Sequence, residues 1–330
     1  MTFEFNNMYI GKSGIVTGKE EYSGKLKKHI DKACENLNGE ETYLKSEIKM
    51  QKESIKIALK KNKLKEKDIN LIIGGDLTEE LAATSYAVKG LFSFIGVYSA
   101  CASFNMGLIL SGLMLNENNN LKILVTTSSH NKVSEKEFRN PTEYGAPKKL
   151  TSSYTLTAGV TTFVSKKKTK VRVKRGTIGK VLDFNFSDPM NMGASMAPSA
   201  VDTLICYLRD TNTKVNDYDL ILTGDLGKYA SKIFEEVLKK EYKIDIKGKY
   251  KDCASMIFEE TKKDLYAGTS GPTTSSIVTL TKIYKLMEER RLNKVLLIAT
   301  GALFSKLSVD QNEKILGISH LIELESVKWR

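Results

Sequence analysis

The sequence predicts a duplicated α/β fold. Two pseudo-symmetric halves, each a mostly parallel sheet covered by helices, stack into five layers in the order α-β-α-β-α. Three observations carry this. A unit of helix, polar loop and strand ending in Gly-Asp-Leu occurs twice, as "IKIALKKNKLKEKDINLIIGGDLTEELA" (Ile55 to Ala82) and "VDTLICYLRDTNTKVNDYDLILTGDLGKYA" (Val201 to Ala230). Asp76 and Asp225 hold matching places in the two copies, roughly 150 residues apart. The strands are continuous apolar runs, the pattern of a parallel sheet buried on both faces.

The elements follow in order. In the first copy an amphipathic helix leads through a charged loop into the strand "LIIGG", and a new helix follows Asp76. The chain continues through "FIGVY", a turn of small residues, a long apolar helix and the strand "LKILVTTSS". The second copy repeats this, from "DLILTG" through "DLYAGTSGPTTSS" and a long helix to "NKVLLIATG", which aligns with "LKILVTTSS" without a gap. The halves divide at residues 1–165 and 166–330.

Composition narrows the class. The 330 residues are 41% hydrophobic and 27% charged, as in a globular protein, and no apolar run is long enough to span a bilayer. The opening "MTFEFNNMYIGKSG" lacks the charged-then-apolar pattern of a signal peptide. Cys34, Cys101, Cys206 and Cys253 have no metal-like spacing, which reads as a reduced protein without disulfides. The net charge of +12 comes from lysine runs such as "SKKKTKVRVKR". Such a face either meets an anionic membrane or ligand or is simply solvated. No RNA-binding signature or DNA-reading helix accompanies the charge, so no nucleic-acid partner is expected.

Ligands of open parallel sheets sit beyond the carboxyl ends of the strands. That directs attention to Asp76, Ser99 to Cys101, and Ser128, Ser129 and His130 in the first half. In the second half it selects Asp225, Gly268 to Thr274, and Thr300 to Ser305. Cys101, between a strand and a helix, is placed where unsatisfied amides and the helix dipole favour a thiolate. Nucleophile, pocket wall and inert buried thiol all remain open for it. His29 reads as solvated, His320 as a structural strand residue, and His130 as either a backbone-satisfied loop residue or a polar group beside Cys101.

The duplicated halves, with a cysteine after the third strand, resemble the thiolase fold of thiolases and β-ketoacyl-ACP synthase III-like enzymes. In those enzymes the cysteine is acylated, and histidine with asparagine or a second cysteine completes the site. Here "LTGDLGKYA" offers Asp225 and Lys228 at the histidine's place, and "YAGTSGPTTSS" has Gly268 and Thr269 at the asparagine's. Condensation, which needs donors to an oxyanion or enolate, is therefore disfavoured.

Longer strings narrow the match. "GVYSACAS", "TTSSHNKVSEKEFRNPTEYG", "NMGASMAPSAVDT" and "TGDLGK" resemble the stage V sporulation protein AD (SpoVAD) family, in family order from about Gly11 to Glu325. The resemblance implies a spore-formation protein of the SpoVA machinery that binds dipicolinic acid, with calcium, and supports its uptake and release without catalysis. A thiolase-like acyltransferase using Cys101 is the alternative. It also implies no cofactor, other SpoVA proteins as partners, a homodimer, and a peripheral place at the spore inner membrane. A small planar dianion suits a helix N-terminus, hydroxyls and cations. The residues expected to contact it are Cys101, Ser99, Ser128, Ser129, His130, Thr269, Ser270 and Ser305. Asp76 and Asp225 would orient donors, cap helices or hold the calcium. This chain departs from the family in having Ser270-Gly271-Pro272-Thr273 where a cysteine-rich loop is usual, and Arg175 where a histidine is.

Overall fold

A computed structural model of the chain describes all residues except 260, 261, 263, 329 and 330. The first half runs β1 (Thr2–Gly18), α1 (Lys19–Tyr22), β2 (Lys32–Cys34), α2 (Tyr43–Asn62), β3 (Leu71–Gly75) and α3 (Ala82–Val88). It continues with β4 (Phe94–Gly96), α4 (Ser103–Glu117), β5 (Ile123–Ser129), α5 (Asn131–Phe138), β6 (Tyr154–Thr155) and β7 (Ala158–Ser165). The second half runs β8 (Val171–Ile178), α6 (Gly193–Thr211), β9 (Leu220–Thr223), α7 (Gly227–Glu241) and β10 (Tyr250–Asp252). After β11 (Thr269–Ser270) come α8 (Pro272–Val278), α9 (Tyr284–Glu288), β12 (Lys294–Leu303), α10 (Lys306–Asp310) and β13 (Leu316–Ser326).

The main sheet has the order β10-β9-β12-β13-β8-β1-β7-β5-β3-β4, with β2 beside the end of β1. Outward from the antiparallel β1–β8 pair the halves carry the same sequence of strands: β1, β7, β5, β3, β4 and β8, β13, β12, β9, β10. In each, the outer three strands are parallel and the strand next to the central one is antiparallel. β1 is long enough to pair with both β7 and β8, and register shifts on each side let it serve two sheets.

Hydrophobic pattern decides the layers. α4 is apolar on every side, with Phe104, Leu108, Ile109 and Leu115 fully buried, so it cannot face water. It lies between the halves, against β1, β3 and β5 on one side and β8, β12 and β13 on the other. Asn105 pins it there, donating to the carbonyls of Leu297 (3.0 Å) and His320 (2.8 Å). α8 shares this middle layer. α2 instead buries Met50, Ile55, Ala58 and Leu59 and exposes lysines, so with α3 it covers the outside of the first sheet. α6 and α7 do the same for the second. The five layers follow. Among the described residues no helix is long and apolar enough to cross a membrane.

Candidate functional site

The turn after β4 presents Cys101. Ala100 takes a left-handed conformation (φ 47°), costly for a residue with a side chain, and Ala100–Ala102 form one 3-10 turn before α4. The turn is pressed against β12: a Cβ on Gly301 would lie 2.4 Å from the Ser99 carbonyl oxygen, so only glycine fits there. From below, His320 on β13 holds Ser99, Nε2 to Oγ at 3.1 Å, while its Nδ1 faces the Gly179 amide at 3.3 Å. Burial drives that imidazole's pKa down to about 4, so it is neutral.

The second half brings Asp225 to the thiol. The Cys101 thiol lies beside Asp225, whose carboxylate accepts from the Gly271 amide (3.1 Å) and Thr300 Oγ1 (2.9 Å). Gly271 has φ 104°, which glycine alone adopts freely, and this turns its amide toward both groups. Burial, then the neighbouring Asp225, pushes the Cys101 thiol well above its ordinary pKa of 9.0. Burial likewise raises Asp225 to about 7, opposed by the neighbouring Cys101 and by its hydrogen bond from Thr300. Of the three roles left open for Cys101, this environment disfavours a thiolate held by the helix N-terminus. Two amides of the turn are engaged by the chain itself, Ala102 with the Ser99 carbonyl and Ser99 with Ser103 Oγ.

A recess of about 20 Å³ beside Cys101 has room for about one water. Ser270 and the buried Arg139 line it too, and Arg139 is held by two bonds to Glu135 (3.2 and 2.7 Å). Leu77, Phe138 and Phe304 separate the recess from a much larger cavity of about 650 Å³. The Phe138 and Phe304 rings stand 5.4 Å apart. Tyr98, Leu81, Leu303 and Ser305 add to the cavity wall, while Glu79, Glu80, Glu137, Asp183 and Glu313 outnumber Lys306 and Lys314 around it.

The structure sorts the residues selected from the sequence. Cys101 and Ser270 line the recess, with Asp225 beside the thiol, and Ser305 lines the outer cavity, where it also caps α10 through the Ser308 amide (3.1 Å). Ser129 stands next to them: its Oγ bonds Thr273 Oγ1 (2.8 Å) and the Leu156 carbonyl (2.7 Å). The rest are engaged elsewhere. Ser128 and His130 flank Ser129 and so point to the opposite face of the sheet. Ser128 donates to Glu47 (2.9 Å) and Gln51 (3.2 Å) on α2. The His130 ring bonds the Asn36 carbonyl (2.8 Å) and the Lys132 amide (3.2 Å), packs on Tyr43, and is held by burial at a pKa of about 4. His130 is a backbone-satisfied N-cap and not a partner of Cys101. Asp76 is fully buried and accepts from the Thr78 amide (2.7 Å), Thr78 Oγ1 (2.5 Å) and the Thr84 amide (2.7 Å), a local cap that lines neither the recess nor the cavity. Thr269 donates to the Ala254 carbonyl (3.1 Å), and Ser99, whose Oγ accepts from His320 Nε2, takes no part in the cavity wall. Among the described residues no group of three metal-ligating side chains stands together. Arg139, Phe138, Phe304 and Tyr98 were not selected from the sequence; "EKEFR" does carry one usable signal, a Glu135–Arg139 pair spaced for one helix face.

Two duplicated halves around a turn-borne cysteine define a thiolase-like protein. Solved structures agree in fold: the chain is similar to cerulenin-bound Xanthomonas campestris OleA (TM-score 0.62, 14% identity, covering 97% of this chain and 98% of that one). A variant of the same OleA gives a TM-score of 0.63 at 15% identity, covering 98% of each chain. The chain belongs to the stage V sporulation protein AD family, whose model matches residues 1–325. It is 32% identical to stage V sporulation protein AD of Bacillus subtilis over 321 residues, 96% of this chain and 94% of that protein. Membership supports a role in sporulation.

Proposed function

We propose that the protein is a non-catalytic receptor for dipicolinic acid that seats the ligand, as its calcium chelate, in the 650 Å³ cavity. The observation that carries this is the pairing of a roomy cavity with a thiol that no histidine attends: Cys101 is buried beside Asp225, burial and that carboxyl push its pKa up, and His130 and His320 are bonded to the Asn36 carbonyl and to Ser99 instead. Aromatic rings of Tyr98, Phe138 and Phe304 suit a planar heteroaromatic ligand. The carboxylate-rich rim repels a free dianion and favours a species whose charge calcium has neutralised. Calcium then arrives with the ligand, since Asp76 and Asp225 spend their oxygens on protein donors. Ser305 and the aromatic wall make the contact; Cys101, Asp225 and Ser270 form the floor behind it.

The same reading places the protein beside other SpoVA proteins at the spore inner membrane, as a peripheral homodimer. The free edge of β4, flanked by the exposed Tyr86, Leu91 and Tyr98, supports self-association. Calorimetric titration with dipicolinate tests the ligand. Saturable heat, stronger when calcium is present, is expected; no heat at millimolar ligand with calcium would remove the reading.

The alternative, acyl transfer through Cys101, draws on the position of Cys101 at the turn before α4 in a thiolase-like fold. Incubation with an acyl-CoA and intact mass analysis tests it. An adduct that disappears in Cys101→Ala would establish the enzyme.

A further inference from the structure

Three concavities at the pole opposite Cys101 join into one groove. The central one, about 810 Å³, shares Asn119, Lys166 and Lys168 with a neighbour of about 520 Å³. On its other side it shares Gly11, Lys12, Lys61, Tyr284 and Glu288 with one of about 440 Å³. The wall comes from the segments before β3 and β5 and from the turn between β7 and β8, whereas Cys101 follows the carboxyl end of β4.

The charge along this groove is one-sided. Ten lysines line it, against Asp31 and Glu288 as its carboxylates among the described residues. Asp31 and Glu288 pair with Lys61 (2.6 Å) and Lys170 (3.6 Å). Lys12, Lys63, Lys122, Lys166, Lys167 and Lys168 have no carboxylate partner among the described residues. Holding so many like charges together opposes folding, and a bound polyanion relieves the repulsion.

We propose that this groove docks an acidic, extended polypeptide segment of a partner protein. Its shape and chemistry select that occupant. A concave channel contacts a chain along its length, while a flat bilayer would touch only the rim. No arginine lines it, and Tyr9, Phe163 and Tyr284 are buried or half-buried, so it offers no exposed platform on which bases could stack. Leu64, Leu121 and Phe163 give an apolar floor, and asparagines such as Asn119 and Asn120 supply both donors and acceptors for a peptide backbone. The docking leaves the cavity near Cys101 open, and it stands independently of the ligand assigned there.

The test is fluorescence anisotropy of labelled poly-L-glutamate with the full chain, run beside phosphatidylglycerol–phosphatidylcholine vesicles and a single-stranded oligonucleotide. Saturable binding to poly-glutamate that weakens with salt is expected, tighter than to either competitor. The triple variant Lys166→Glu, Lys167→Glu, Lys168→Glu should weaken it by about tenfold or more. Lys63→Glu with Lys122→Glu provides a second reading from other wall segments. A control that reverses Lys232, Lys239 and Lys240 on α7 should change binding less than about twofold, because those charges line no part of the groove and exposed charges away from it are screened by salt. Absence of binding at low salt, tighter binding to vesicles or DNA, or equal loss in the control would overturn the proposal.

Discussion

Asp76 and Asp225 descend from matching positions in the two halves, yet they do different work. Asp76 is wholly absorbed by its own loop, receiving two amides and a hydroxyl within eight residues of itself. Asp225 reaches across the molecule, to Thr300, to the Gly271 amide and to the thiol of the other half. Duplication supplied two equivalent carboxylates, and only the second meets Cys101, although the turn after β10 in the second half also carries a buried cysteine, Cys253. The ancestral symmetry survives in the backbone and is broken in the chemistry.

The largest effect should come from Asp76→Ala. It strands three buried donors, and equilibrium urea unfolding should register a loss of about 3 kcal/mol. A loss below about 1 kcal/mol would erase the contrast with Asp225. Asp225→Asn should be milder near neutrality, since the buried carboxyl is already close to its protonated form. Its folded pKa of about 7 lies above the ordinary 3.8, so the carboxyl's contribution to stability is fully present below 3.8 and lost as pH rises through 7. The stability of the variant relative to the native chain should therefore rise by about 2.5 kcal/mol between pH 5 and pH 8. A pH-independent difference would contradict the assignment.

His130 and His320 act with the opposite sign. Their folded values of about 4 lie below the ordinary 6.5, so stability present above 6.5 is lost as pH falls toward 4. Replacing His320 with Gln should flatten that acid limb in a pH series of thermal melts, by about 2 kcal/mol between pH 6 and pH 4.5. The smallest effect belongs to Cys101→Ala: about 1 kcal/mol in stability, and less than about threefold in dipicolinate affinity, because Phe138 and Phe304 stand between the thiol and the cavity.

Much of the fold was legible because a repeat is a global signal: the twin Gly-Asp-Leu strands and the apolar runs fix a duplicated, two-sided sheet. The site was legible only in part. Strand ends mark which residues reach the pole that carries the cavity, and Cys101, Asp225, Ser270 and Ser305 lie together there. Orientation was lost where side chains alternate: Ser129 turns toward α8 while Ser128 and His130, one residue to either side, turn toward α2. Arg139, Phe138 and Phe304 escaped notice because their meeting depends on packing between distant segments, which leaves no local pattern.

The most direct measurement is the pH dependence of Cys101 alkylation by iodoacetamide, followed on the Cys101 peptide by mass spectrometry. A buried thiol facing Asp225 should react slowly, with a rate still climbing above pH 9.0, its ordinary pKa. Asp225→Asn should shift the curve to lower pH. A rate that has reached its plateau by pH 7 would mean a thiolate poised for attack, and would contradict the account.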